Sequence, residues 1–133
     1  MELALKTDAP GLARIFVLRG RDFEEAGYLA RAIDDYSTAL RISPDNAQTL
    51  YRRGLAFSRK GDLDQAIADF DAALRADAGF VEVLNARGNV WANKCRFDRA
   101  IEDYDAALRL NPNNSPAMNS RENIQCEGRL AVA

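Results

Sequence analysis

The sequence contains no histidine, and among its 133 residues there are only two cysteines and one tryptophan. The absence of histidine excludes Ser-His and Cys-His nucleophile pairs and imidazole metal sites, and it removes the commonest general base at neutral pH. Cys95 and Cys126 are too few for a disulfide framework or a four-thiolate zinc site. We therefore predict that the protein is not an enzyme and that it holds no metal and no cofactor.

Long apolar runs are also missing. No segment approaches the roughly 18–20 apolar residues that a membrane-spanning helix needs, and residues 1–8 have neither the basic nor the apolar region of a signal peptide. With 18 basic and 20 acidic side chains, the net charge of −2 gives no general attraction to nucleic acid or to acidic membranes. These features predict a cytoplasmic protein without nucleic-acid or membrane partners.

What the sequence has instead is a repeat with a period of 34 residues. Four short motifs return in the same register: Arg-Gly at 19–20, 53–54 and 87–88, Ala-Ile at 32–33, 66–67 and 100–101, Asp-aromatic at 35–36, 69–70 and 103–104, and Ala-Leu-Arg at 39–41, 73–75 and 107–109. This periodicity predicts three complete units, over residues 13–46, 47–80 and 81–114.

These residues resemble the tetratricopeptide repeat (TPR), a helix-turn-helix unit of the same period. The family pattern of aromatic-x2-Leu-Gly-x2-Tyr, Ala-x3-Phe and Ala reads Leu50-x2-Arg53-Gly54-x2-Phe57, Ala66-x3-Phe70 and Ala73 in the second unit, and the other two units match it similarly. The resemblance implies an all-α fold, a right-handed superhelical solenoid of antiparallel helix pairs. Small residues such as Gly20 would let the helices of a pair approach closely, and large ones such as Tyr36 would fill the space between them.

The turn inside each pair has its own signal. Gly27 and Gly61 stand where the first helix should end, and Cys95 takes the same place in the third unit. We interpret Cys95 as a tolerated turn residue and not as a redox centre.

The ends of the chain continue the register. Residues 1–12 look like an N-terminal remnant of a preceding unit or a partial helix. After the third unit, Ser115-Pro116 predicts the N-cap and first residue of a solvating helix over 115–128 that Gly128 would end, followed by a tail at 129–133.

An arginine replaces the family's leucine in every unit, and an aspartate recurs in every second helix. Because an arginine in so crowded a place needs a carboxylate, the two sets should form bidentate pairs. The capping helix keeps its arginine without a second helix of its own, which favours pairing between successive units. The predicted pairs are Asp35 with Arg53, Asp69 with Arg87 and Asp103 with Arg121. A ligand site is the alternative interpretation of these charges.

The resemblance further implies that the first helices line a concave groove that binds a peptide. Carried over to this sequence, the candidate peptide-binding residues are Arg14, Val17, Arg21, Gln48, Tyr51, Arg52, Leu55, Arg59, Asn85, Asn89, Asn93, Asn119 and Asn123. The five asparagines would form a cluster of amides, which donate and accept together and so suit the backbone of an extended peptide. The alternative interpretation is that these asparagines are polar surface residues that contact only solvent.

The charges are divided unevenly between the two helices of each unit. The first helices (13–26, 47–60 and 81–94) hold nine basic and four acidic residues, whereas the second helices (28–44, 62–78 and 96–112) hold six basic and eleven acidic ones. A basic inner wall favours a ligand with acidic or carboxylate groups.

Some family members hold the C-terminus of heat-shock chaperones with a two-carboxylate clamp of lysine, asparagine and arginine. The corresponding residues here are Val17, Arg21, Arg52, Glu82 and Ala86. Because Glu82 would repel a carboxylate, binding of that kind is disfavoured.

Together these features predict a non-enzymatic adaptor, an interaction module that binds a peptide segment of a partner protein in its groove. The alternative is a structural scaffold that self-associates through its repeat ends.

Overall fold

A computed structural model describes the backbone of residues 9–132 and the side chains of residues 9–124. The described residues form seven α-helices and no β-strand, which confirms the all-α fold class. The helices are α1 (Ala9–Glu25), α2 (Leu29–Ile42), α3 (Ala47–Lys60), α4 (Leu63–Ala76), α5 (Val81–Asn93), α6 (Phe97–Leu110) and α7 (Ser115–Val132). None of the helices in this part of the chain is long and apolar enough to cross a membrane.

The chain divides into two compact units. Unit 1, residues 1–76, holds the helix pairs α1–α2 and α3–α4, and α2 also packs against α3. Unit 2, residues 77–133, holds the pair α5–α6 together with α7, which packs against α6 and touches α5. The helices of each pair are joined by only two or three residues, and such short connections make neighbouring helices antiparallel.

In each pair a glycine of the first helix faces an aromatic ring of the second. A Cβ atom at Gly20 would lie 2.7 Å from Cε1 of Tyr36, and one at Gly88 would lie 2.6 Å from Cε1 of Tyr104. Both rings are buried. The glycine of each Arg-Gly motif recurs together with the aromatic residue of each Asp-aromatic motif because only glycine leaves room for these rings.

The turns inside the pairs adopt the left-handed conformation. Gly27 and Gly61 have φ angles of +89° and +93°, which confirms them as turn residues. Cys95 occupies the same place in unit 2 with φ +60°, and it is the one non-glycine residue with a positive φ among residues 9–132. Its side chain is exposed. A side chain in this region costs roughly 1–2 kcal/mol in L-residues, so Cys95 is a strained substitute for glycine.

Helix α1 begins at Ala9, so residues 9–12 of the predicted N-terminal remnant or partial helix are part of the first helix. Pro10 fits there because the first turn of a helix needs no donor from the proline nitrogen. Residues 1–8 of that remnant, and Ala133 of the tail, lie outside the described residues.

Helix α7 differs from its prediction at both ends. Its N-cap is Asn114 and not Ser115, since Asn114 Oδ1 accepts a hydrogen bond from the Ala117 amide at 3.1 Å. Asn46 caps α3 in the same way, through Thr49 N at 3.1 Å, two repeat periods earlier. The helix does not end at Gly128 but continues to Val132. A glycine inside a helix costs only about 1 kcal/mol relative to alanine, too little to stop a helix whose following residues are good helix formers.

Candidate functional site

The recurring arginines and aspartates form bidentate pairs within each repeat. In all three pairs the arginine Nε and Nη2 atoms donate to the two carboxylate oxygens: Arg19 to Asp35 at 2.8 and 2.7 Å, Arg53 to Asp69 at 2.7 and 2.6 Å, and Arg87 to Asp103 at 2.8 and 2.7 Å. The predicted pairing of Asp35 with Arg53, Asp69 with Arg87 and Asp103 with Arg121 is therefore wrong.

The reason lies in the close approach of the helices. Each arginine directly precedes the glycine of the first helix, and each aspartate directly precedes the aromatic residue of the second. Because that glycine and that ring are in contact, the arginine and aspartate beside them are brought together across the same pair. Each ion pair therefore lies within one helix pair, and its arginine and aspartate neutralise each other.

A different atom of the arginine contacts the preceding repeat. Arg53 Nη1 donates to Ser37 Oγ at 3.1 Å, and Arg121 Nη1 donates to Asp105 Oδ1 at 2.8 Å. Residues 37 and 105 stand two repeat periods apart, so both bonds join the same two places of the repeat. Sequence reasoning missed this contact, although the polar side chain at this place was the signal for it.

In unit 1, Glu24 connects the first helices of two repeats. Its Oε1 accepts from the Tyr36 hydroxyl at 2.7 Å, and its Oε2 accepts from Arg59 Nη1 at 3.2 Å. Burial and the hydrogen bond to Glu24 raise the pKa of Tyr36 well above its usual value, while the nearby positive charges of Arg52 and Arg21 oppose the rise. Because Tyr36 holds its proton more tightly when folded, its contribution to stability is complete below about pH 10 and is lost as the pH rises further.

Arg21, Arg52 and Arg59 are thus gathered around Tyr36 and Glu24. Arg59 is paired with Glu24, whereas neither Arg21 nor Arg52 forms an ion pair with any described residue. Arg21 is exposed and Arg52 is half-buried. Around Glu24 on α1 and α3, these two guanidinium groups are therefore not engaged in an ion pair with any described residue.

Three more of the predicted residues line one cleft in unit 1. Arg14, Val17 and Gln48 border a cleft of about 300 Å³. Val17 also packs against the core cluster around Tyr36, so that only part of it faces outward. Tyr51 and Leu55 are half-buried, and the centre of the Tyr51 ring lies 6.3 Å from that of Phe70. We call the surface formed by Arg14, Arg21, Gln48, Arg52 and Arg59 the α1–α3 surface.

The five predicted asparagines all belong to unit 2, three on α5 and two on α7, and the structure gives them different surroundings. Asn89 Oδ1 accepts from the Tyr104 hydroxyl at 2.5 Å, which leaves the amide nitrogen for donation. Asn85 Oδ1 is buried and meets no donor among the described residues. Asn93, Asn119 and Asn123 are exposed.

The hydroxyl groups of Tyr36 and Tyr104 are the polar features that sequence reasoning missed, because these rings were interpreted only as core packing. Each hydroxyl reaches a side chain of its first helix, Glu24 and Asn89 respectively. Burial raises the pKa of Tyr104 as well. The signal was the alternation of Tyr, Phe and Tyr at positions 36, 70 and 104, since phenylalanine would serve equally well if only packing mattered.

Repeated helix pairs, held by a glycine–aromatic contact and an internal ion pair, define a helical-repeat protein. Two tetratricopeptide repeat models match the sequence, one over residues 51–115 and one over residues 20–61. The chain belongs to the tetratricopeptide repeat family. No curated protein sequence matches it significantly.

Solved structures with the same fold cover most of the chain. The first TPR domain of Spaghetti (RPAP3), bound to the HSP90 peptide SRMEEVD, is 24% identical, with a TM-score of 0.85 over 88% of this chain and 93% of that one. The TPR domain of Arabidopsis OM64 is 22% identical, with a TM-score of 0.86 over 90% and 98%. The first TPR domain of human RPAP3 is 25% identical, with a TM-score of 0.83 over 87% and 91%.

Proposed function

We propose that this protein is a non-enzymatic interaction module that binds an acidic peptide segment of a partner protein on the α1–α3 surface. The observation that carries the proposal is that neither Arg21 nor Arg52 forms an ion pair with a described residue. Glu24 is already engaged by Tyr36 and Arg59, so it does not neutralise the other two arginines. Guanidinium groups bind carboxylates with two parallel hydrogen bonds, which makes acidic side chains the best-matched ligand.

Proteins of the same fold support this kind of ligand. Spaghetti is bound to SRMEEVD, and the second TPR domain of human RPAP3, with a TM-score of 0.79, is in complex with the HSP70 peptide SGPTIEEVD. Both peptides contain Glu-Glu-Val-Asp. In this chain a valine and a glutamate, Val17 and Glu82, stand at two of the five clamp positions. We therefore expect recognition of acidic side chains by Arg21 and Arg52 and not the capture of a chaperone C-terminus.

Selection from a random peptide library on the immobilised protein tests the proposal. The selected peptides should be rich in aspartate and glutamate, and their affinity should fall as salt is added. The double variant Arg21→Gln, Arg52→Gln should bind them at least about 10-fold more weakly, the loss of one or two charged hydrogen bonds.

The matched control is Arg75→Gln, Arg109→Gln, which removes the same charge from exposed positions on α4 and α6 and should leave the affinity within about twofold. Selection of peptides without acidic residues, failure to select any, or equal affinity in the two double variants would contradict the proposal.

A second candidate function, a scaffold that self-associates, is favoured by an apolar face on α1. Ile15 is 61% exposed and Leu18 is 47% exposed. The residues one, two and three periods after Ile15, namely Thr49, Val83 and Ala117, are all buried. The first repeat therefore leaves open a position that the later repeats cover. Sedimentation equilibrium should show a concentration-dependent dimer that Ile15→Gln, Leu18→Gln abolishes, and a strict monomer at high concentration would remove this candidate.

A further inference from the structure

Arg121 on α7 makes only one of the two kinds of contact that Arg53 makes. Its Nη1 donates to Asp105, as Arg53 Nη1 donates to Ser37. Its Nε is buried and has no acceptor among the described residues, whereas Nε of Arg19, Arg53 and Arg87 donates to an aspartate on the second helix of the pair. In every complete pair, the Nε and Nη2 atoms of the arginine donate to one carboxylate. No described residue supplies a carboxylate to this side of Arg121.

The apolar part of the same helix face is more exposed than in the preceding repeats. Met118 is 39% exposed, although Leu50 and Leu84, which hold its position in the preceding repeats, are each 6% exposed. In α3 and α5 this face is covered by the second helix of the pair, α4 and α6 respectively. On the face that packs against a second helix in the complete pairs, helix α7 therefore presents the apolar side chain of Met118 and the Nε–Nη2 side of Arg121.

One residue changes what that face can receive. The glycine that follows the arginine in each pair is replaced by Glu122. At Gly20, Gly54 and Gly88 even a Cβ atom would collide with the ring of Tyr36, Phe70 or Tyr104. A helix that docks on α7 with its carboxylate at Arg121 must therefore carry a small residue after the carboxylate, where the internal second helices carry an aromatic one.

We propose that α7 docks an amphipathic helix of a partner protein that presents an aspartate or glutamate to the Nε–Nη2 edge of Arg121, followed directly by a small residue. The carboxylate would satisfy the buried Nε donor in the geometry seen three times in this molecule. The apolar residues of the docked helix would cover Met118. This site shares no residue with the α1–α3 surface.

The chain's own α6 supplies a defined probe. A fluorescent peptide of residues 96–111 with Tyr104→Ala, the Y104A peptide, has the aspartate followed by a small residue, and a lactam bridge on its outer side reduces the cost of ordering so short a helix. Its matched control, the D103N peptide, carries Asp103→Asn in addition to Tyr104→Ala, and a third peptide keeps Tyr104. Titrations are made with the whole protein, with Arg121→Gln, with Glu122→Gly and with the Arg21→Gln, Arg52→Gln variant.

We expect the Y104A peptide to bind the protein at least about 10-fold more tightly than the D103N peptide. This difference should vanish in Arg121→Gln and persist in Arg21→Gln, Arg52→Gln, which separates this site from the α1–α3 surface. The peptide that keeps Tyr104 should bind weakly and should gain affinity with Glu122→Gly.

The Nε–H resonance of Arg121 provides a readout that needs no protein variant. It should shift on addition of the Y104A peptide and not on addition of the D103N peptide. No saturable binding of the Y104A peptide, equal binding of the two peptides, or an unmoved resonance would overturn the proposal. Sedimentation without peptide shows whether a second copy occupies the face instead, and a dimer abolished by Arg121→Gln would equally overturn it.

Discussion

Replacing Asp69 with alanine should lower the free energy of unfolding by about 3 kcal/mol, the lower end of what is lost when one partner of a buried ion pair is removed. The Asp69 side chain is 7% exposed and that of its partner Arg53 is 23% exposed. The variant leaves the Nε and Nη2 donors of Arg53 without their carboxylate, while Ser37 still holds Nη1 in place. Urea unfolding followed by far-ultraviolet circular dichroism measures the loss.

The first repeat provides the matched control. Arg19 and Asp35 form the same bidentate pair, but the Arg19 side chain is 59% exposed. Because water can solvate Arg19 when its partner is removed, Asp35→Ala should lower the free energy of unfolding clearly less than Asp69→Ala does. Equal losses in the two repeats would contradict the role of burial.

The double replacement Arg53→Met, Asp69→Leu tests the origin of the effect. Removing both charges and keeping apolar volume should return the stability to within about 1 kcal/mol of the wild type, because no buried charge is then left unpaired. If the double variant is as unstable as Asp69→Ala, packing and not the unpaired charge is the cause.

Replacing Gly88 with alanine should lower the free energy of unfolding by about 2 kcal/mol, although alanine is the better helix former by about 1 kcal/mol. The new methyl group would lie 2.6, 2.9 and 3.0 Å from three atoms of the Tyr104 ring. That ring is buried and its hydroxyl is bonded to Asn89, so it has no free direction in which to move. Helices α5 and α6 would have to separate. Trp91, the single tryptophan and a residue of α5, reports this unfolding by its fluorescence.

Gly11→Ala is the control for Gly88→Ala. Gly11 also lies in a helix, but a Cβ placed there would have no atom within 4 Å apart from its own stretch of helix backbone. Its replacement should leave stability unchanged or raise it by up to about 1 kcal/mol. If Gly88→Ala is as stable as the wild type, the close approach of the helices does not need glycine at this position.

The α1–α3 surface could be predicted only partly from the sequence. The positions of Arg14, Arg21, Gln48, Arg52 and Arg59 on first helices followed from the repeat register. Which of these arginines keep their charge available depended on Glu24, whose two oxygens are used by Tyr36 and Arg59. The register alone does not show this, because each of those bonds joins different elements of the fold.

The sequence by itself determined the period of 34 residues, the helix pairs, the glycine turns and the small and large residues that pack between the helices. These features depend on local conformation and on residue size, both of which a repeated pattern carries. Only the tertiary structure decided the partner of each arginine. In a periodic chain Asp35 is 16 residues from Arg19 and 18 from Arg53, and the pattern is the same for either choice. The side-by-side packing of α1 and α2 selects Arg19, because the contact between Gly20 and Tyr36 brings the preceding residues within hydrogen-bonding distance.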